Sequence, residues 1–255
     1  MPESNPRTVL VTGAGKRIGR AIARGLAAHG WAVAVHYHRS AKDAETVVAE
    51  IAKDGGTAKA VGADLADPDA VAGLVPDAAA AVGPLQALVN NASAFENDAL
   101  RTLTRESWDR HMETNLWAPV ALAKALTEQL PDGTQGNVIN LLDQRVWNLT
   151  PYFLSYTVSK SALWTLTRTL AMALAPQVRV NAIGPGPTLP SKRQTQTQFD
   201  EQSARMPLGR GTTPEEICDA IRYLLDAPAV TGQMLALDGG QHLGWAQPDG
   251  PPALE

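Results

Sequence analysis

Seven short runs of β-branched or aliphatic residues, separated by longer stretches with helical patterning, constrain this chain more than any other feature. The runs are TVLVT (8–12), WAVAVHY (31–37), AKAVGAD (58–64), LQALVNNA (85–92), GNVINLL (136–142), QVRVNAIG (177–184) and GQMLALDGG (232–240). Between the first four lie Arg17 to His29, Ala41 to Lys53 and Pro68 to Val82, each long enough to cross a sheet and return, so neighbouring strands run parallel.

The spacing predicts a Rossmann-like α/β fold, a doubly wound seven-stranded parallel sheet with helices on both faces. Boundary chemistry agrees with it. Asp67 precedes Pro68 as an N-cap, Thr213-Pro214 with Glu216 reads as a capping box, and Gly30, Gly55 and Gly83 stand where helices close. A sheet of this size uses the whole chain as one domain, 1–255, with flexible ends at about 1–6 and 246–255.

Composition narrows the function. The net charge is −4 and no run of Lys or Arg offers a footprint for nucleic acid or anionic lipid. A single cysteine, Cys218, excludes an internal disulfide framework and a multi-thiolate metal centre, and is expected to pack on a helix. His29, His36, His111 and His242 lack zinc spacing and no G-x-S-x-G elbow is present, so neither metal nor hydrolase chemistry is expected. No signal peptide or spanning segment is read, which makes the cytoplasm the expected location.

The first strand runs directly into GAGKRIG. A glycine-containing turn there presents backbone N–H groups and the positive end of a helix to a pyrophosphate, and Gly13, Arg17, Ile18 and Gly19 are its candidate residues. The second strand ends in His38, Arg39 and Ser40, where an NAD enzyme carries an acidic residue; a cation there suits the additional phosphate of NADPH. Tyr156 and Lys160 stand four apart on a helical segment and project from one face. A nearby ammonium favours phenolate, which makes the tyrosine a usable proton donor during hydride transfer.

The turn, VNNAS after the fourth strand, the Tyr156/Lys160 pair and VNAIGPG after the sixth together resemble the classical short-chain dehydrogenase/reductase family, from Thr8 to about Gly240. The resemblance implies that Asp64 and Leu65 border the adenine and that Asn91 and Ala92 line the cofactor groove. It further implies that Lys160 grips the nicotinamide ribose, Asn115 holds a relay water, and Pro185, Gly186 and Thr188 close over the cofactor. Arg17 replaces the middle glycine of the family turn, and Pro187 departs from its usual residue. A homotetramer is implied too, and Trp108, Trp117 and Trp164 are expected in the core or at subunit contacts.

Most members of the family carry serine where this chain has Asp143. An ionised carboxylate opposes formation of a phenolate beside it, which suits a plain ketone poorly and a substrate with ring N–H groups better. With TGAGKRIG, HYHRS and NNASAF, the chain resembles the pteridine reductase branch, dihydromonapterin reductases included. In that reading Phe95 stacks on a small-molecule pterin, Ser93 touches its polar edge, and Asp143 and Tyr156 deliver a proton to a C=N bond reduced by NADPH. The alternatives are an NADPH-dependent carbonyl reductase of 3-oxoacyl or other ketones, and a non-catalytic nucleotide sensor on the same fold. Arg145 and Trp147 are expected to reshape the pocket.

Overall fold

The computed structural model describes residues 7–244, so both chain ends expected to be flexible lie outside the described residues. Strands β1 (Arg7–Val11), β2 (Trp31–Tyr37), β3 (Thr57–Gly62), β4 (Ala87–Asn90), β5 (Gly136–Leu141), β6 (Val178–Pro185) and β7 (Met234–Leu237) make one sheet. Their order is β3-β2-β1-β4-β5-β6-β7, and every neighbouring pair is parallel. This is the predicted Rossmann-like sheet. Its strands read as nearly unbroken apolar runs because helices cover both faces.

Among the described residues eight α-helices flank it: α1 (Arg17–Ala28), α2 (Ala41–Lys53), α3 (Pro68–Val82), α4 (Arg105–Met112), α5 (Ala118–Gln129), α6 (Leu154–Ala173), α7 (Gln196–Ala204) and α8 (Pro214–Asp226). One core joins Ile22 and Leu26 of α1, Val47 and Ile51 of α2, and Ile217 and Ile221 of α8 to one sheet face. Leu74 of α3, Leu122 and Leu126 of α5, and Ala171 of α6 pack on the other. Each fully buried Leu or Ile contributes about 1.5–3 kcal/mol by leaving water, so the two layers, more than helix propensity, hold the helices in place.

The end chemistry behaves as the sequence predicts. The Thr213 hydroxyl accepts from Glu216 N at 3.2 Å while the Glu216 carboxylate accepts from Thr213 N at 2.9 Å. The Asp67 carboxylate accepts from Asp69 N at 3.0 Å. Cys218 is buried and lies against Gly25 of α1, where an added Cβ would come within 2.4 Å of its sulfur. Several strands are shorter than their apolar runs. β3 stops at Gly62 rather than Asp64, because the Asp64 carboxylate turns back to accept from Ala66 N at 3.0 Å. β4 likewise stops at Asn90, since the amides of Asn91 and Ala92 are given to the Thr12 hydroxyl. Trp117 is half exposed, whereas Trp108 and Trp164 are partly buried.

Strand order reverses between β1 and β4. At such a point the connections leave the strands in opposite directions and open a crevice at the carboxyl ends. The segments after β1, β4, β5 and β6 meet there, and they carry most of the candidate residues.

Candidate active site

The turn after β1 is held by its neighbours. Gly13 has φ 63°, and Arg17 has φ 52°, a left-handed conformation that disfavours any side chain and that the glycine usual at this place in the family adopts without strain. A Cβ on Gly19 would lie 2.2 Å from the Gly13 carbonyl oxygen, so only glycine lets α1 approach the turn. Asn91 donates from its side chain to the Thr12 and Gly13 carbonyls at 2.8 and 3.2 Å, and thereby supports the turn from β4. The Arg17 guanidinium donates to the Pro190 and Leu189 carbonyls at 3.0 and 3.3 Å, tying the turn to the segment after β6. Ile18 is half-buried against the core under α1.

Further along the groove, Arg39 is exposed and forms no ion pair among the described residues. Ser40 precedes α2, with its hydroxyl near Gly15. His38 faces the Asp64 carboxylate at 3.2 Å, and Leu65 is buried. At the end of β6, Gly186 N donates to the Leu237 carbonyl and the Thr188 hydroxyl donates to the Gly186 carbonyl at 3.0 Å. Pro185 is the last residue of that strand, and Pro187 is buried against Gly211.

Asp143, Tyr156 and Lys160 converge where β5 ends. The Tyr156 hydroxyl donates to Asp143 Oδ2 at 2.9 Å. Lys160 Nζ donates to the Leu141 carbonyl at 2.7 Å and lies 5.9 Å from the Tyr156 ring centroid. Burial lowers the Lys160 pKa to about 8, against which the Asp143 charge works. Arg145 is buried as well. Its backbone N–H donates to Asp143 Oδ1 at 2.8 Å and its guanidinium stands 3.9 Å from Oδ2, so the carboxylate meets a fixed counter-charge. Trp147 is farther out, half exposed, with its ring 5.1 Å from that of His242.

Asn115 occupies a π-helical turn, Glu113–Trp117, between α4 and α5. The cause is readable in the sequence: four residues on stands Pro119, which has no N–H to give the Asn115 carbonyl, so the ladder widens. The Asn115 side chain accepts from Ala94 N at 2.8 Å and donates to the Ala94 carbonyl and the Ser159 hydroxyl. The Ser93 hydroxyl donates to Asn115 Oδ1 at 3.2 Å. Phe95 stands with its ring in an edge contact to Tyr156, centroids 4.7 Å apart.

Three contributors escaped the sequence. Phe153 stacks on Phe95 at 4.6 Å with planes 5° apart, so one face of Phe95 is already covered. Phe153 has φ 56°, a strained conformation held by complete burial and by the Arg145 guanidinium 5.0 Å from its ring. The Arg193 guanidinium lies 4.9 Å from the Phe95 centroid. His36 accepts from Gly13 N at 3.0 Å through Nδ1 and approaches the Ala63 carbonyl at 3.1 Å through Nε2; burial lowers its pKa to about 4. A histidine read only for zinc spacing thus acts as a neutral bracket for the turn. No cluster able to hold a metal ion exists among the described residues.

A family model described as enoyl-(acyl carrier protein) reductase matches residues 13–242. The chain belongs to the classical short-chain dehydrogenase/reductase family. It is an oxidoreductase of that family, and curated relatives of full length agree. It is 33% identical over 238 residues to a 3-oxoacyl-[acyl-carrier-protein] reductase of Synechocystis sp., covering 92% of this chain and 96% of that protein. Among solved structures of the same fold it is similar to the FolM alternative dihydrofolate reductase 1 of Brucella suis, crystallised with NADP. That match has 50% identity and a TM-score of 0.92, over 95% of this chain and 98% of the other. A blue fluorescent protein from a metagenomic library, crystallised with NADPH, matches at 33% identity and a TM-score of 0.85 over 92% and 98%. No helix among the described residues is long and apolar enough to cross a membrane.

Proposed function

We propose that this short-chain reductase uses NADPH to reduce a C=N bond in a dihydropterin or a related heterocycle. The observation that carries the reading is the Tyr156 hydroxyl on Asp143 at 2.9 Å, because a carboxylate in that place calls for a substrate with N–H donors rather than a bare carbonyl. The 50% identity to a FolM dihydrofolate reductase supports it.

The turn would hold a dinucleotide at its backbone N–H groups: a Cβ on Gly13 would press on Ala92 at 3.0 Å and one on Gly19 on the Gly13 carbonyl at 2.2 Å, so glycine at both positions keeps the turn tight. Arg39 would hold the additional phosphate, with His38 and Ser40 beside it, and Asp64 and Leu65 would border the adenine. Asn91, Ala92, Pro185, Gly186 and Thr188 would line the remainder, with Arg17 at the diphosphate and Lys160 on the nicotinamide ribose. Bound NADPH supplies a hydride to the carbon of the C=N bond. Tyr156 and Asp143 move one proton to the nitrogen, so the product is the saturated C–N bond and the cofactor leaves oxidised. Lys160, as an ammonium, stabilises the phenolate left on Tyr156, and the Asn115 turn holds a water that returns the proton. Phe95 and Ser93 contact the heterocycle.

A second reading, reduction of a 3-oxoacyl or other ketone, is favoured by the 33% identity to the Synechocystis enzyme. NADPH oxidation measured with dihydropterins beside a panel of ketones separates the two. Turnover of pterins alone is the expected result, and turnover of ketones alone overturns the proposal. Binding of NADPH without turnover of either panel leaves the nucleotide sensor instead. For the tetramer, Leu116, Trp117, Val120, Ala162 and Leu166 line an apolar hollow that a second copy would cover. Light scattering of the purified chain should give four times its 27.0 kDa mass.

A further inference from the structure

Behind Tyr156 lies a group of buried polar side chains to which the proposed reduction assigns no role. Asp98, His111 and Ser155 are respectively 3%, 0% and 0% exposed. The Asp98 carboxylate accepts from Ser155 N at 3.0 Å, from the Ser107 hydroxyl at 2.7 Å, and through a short bond from the Ser155 hydroxyl. The Ser155 oxygen also meets His111 Nδ1 at 2.7 Å, and His111 Nε2 accepts from Glu96 N at 3.1 Å. Because Nε2 is an acceptor, the ring proton belongs on Nδ1, directed at the Ser155 oxygen and at the Ser107 carbonyl 2.9 Å away.

Serine, histidine and aspartate in contact suggest a hydrolase, but the proton order is wrong for one. Ser155 gives its hydroxyl proton to Asp98 rather than to His111, and burial leaves no path for an acyl group to reach its oxygen.

The positions of these contacts explain them better. Helix α6 begins after Phe153, whose side chain makes no cap hydrogen bond. Asp98, 57 residues earlier in the chain, caps it instead: its carbonyl accepts from Leu154 N and its carboxylate from Ser155 N. The capped residue precedes Tyr156. At the other end, His111 holds the amide of Glu96, the residue after Phe95, and its ring lies 6.1 Å from that of Tyr156. We propose that Asp98, Ser155 and His111 are positioning residues that fix the Tyr156 hydroxyl against Phe95, and so set the gap into which the substrate ring enters.

The ionisation states agree. Burial opposes charge on Asp98, but the bonds from Ser155 and Ser107 and the nearby His111 outweigh it and hold the carboxyl below its ordinary value. Burial lowers His111 too, despite the Asp98 and Glu96 charges, which keeps Nε2 available to the Glu96 amide.

The inference rests on Tyr156 being the acid, and the test keeps the two apart. Ser155→Ala, Asp98→Asn, His111→Phe and His111→Gln are compared for melting temperature, NADPH affinity, kcat and KM, on whichever substrate the wild type reduces. Ser155→Ala, Asp98→Asn and His111→Phe should each lower kcat by about tenfold or more, since misplacement of a reacting group by about 1 Å costs that much, with NADPH affinity unchanged. Glutamine can accept from Glu96 N and donate to Ser155, so His111→Gln should recover most of the turnover that His111→Phe loses. A lower melting temperature with wild-type kcat and KM makes the group merely structural and overturns the proposal, as does His111→Gln no better than His111→Phe. If Asp98→Asn does not fold, Ser155→Ala decides. An active Tyr156→Phe removes the acid assignment; an inactive Tyr156→Phe beside fully active Ser155→Ala and His111→Phe removes this inference alone.

Discussion

The Tyr156 hydroxyl donates to Asp143 at 2.9 Å, and the same carboxylate accepts from the Arg145 backbone at 2.8 Å with that residue's guanidinium 3.9 Å away. The phenol therefore faces an acid that is itself held by the next turn of chain. Such a pair can serve a nitrogen-bearing substrate because each partner offers what the other lacks, a donor and an acceptor.

Replacing Tyr156 by Phe removes the hydroxyl and little else. Turnover should fall by about 100-fold or more, the ordinary contribution of a positioned acid, while NADPH binding measured by fluorescence titration stays near that of the wild type. Wild-type turnover would remove the assigned acid.

Asp143→Ser restores the residue usual in the family. Pterin turnover should drop by about tenfold or more while ketone turnover appears, because a hydroxyl can donate to a carbonyl oxygen and a carboxylate cannot. Steady-state assays on both substrate classes check this, and unchanged preference would show that the carboxylate does not select.

Arg39→Ala should weaken NADPH by about tenfold and leave NADH nearly unaffected, since only NADPH presents a phosphate to the guanidinium. Equal losses for both cofactors would refute the phosphate assignment.

Lys160 carries two opposite pH effects. With a pKa near 8 its ammonium is lost above that pH, so kcat/KM should fall as pH rises through about 8. Stability should move the other way. Between pH 8 and 10.5 the unfolded chain holds a proton that the folded one has released, so folding is favoured progressively as pH rises across that window. A kcat/KM profile flat to pH 10 would contradict the first effect.

His36 predicts an acid limit. Its folded pKa is about 4 against 6.5 in the unfolded chain, so between those values only the unfolded form takes up the proton. Stability should decline as pH falls from 6.5 to 4, by about 3 kcal/mol in all. Denaturant titrations of the wild type and His36→Gln should show that slope in the first and its loss in the second.

The strands, the crossover helices, the glycine-containing turn after β1 and the spacing of Asp143, Tyr156 and Lys160 were legible in the chain, because each depends on local period or on residues close together in sequence. Even the π-helical turn at Asn115 has a local cause in Pro119. What the sequence could not reveal were partners distant along the chain. The bracket that His36 places on Gly13, the stack of Phe153 on Phe95 and the cap that Asp98 gives α6 join residues 23, 58 and 57 positions apart. Nothing in a local pattern distinguishes a buried histidine that steadies a turn from one in solvent. Sequence alone determined which backbone elements form and which chemical groups this protein possesses. Packing of the helices on the sheet decided which of those groups meet, because burial deprives a polar side chain of water and compels it to find a partner wherever the fold has placed one.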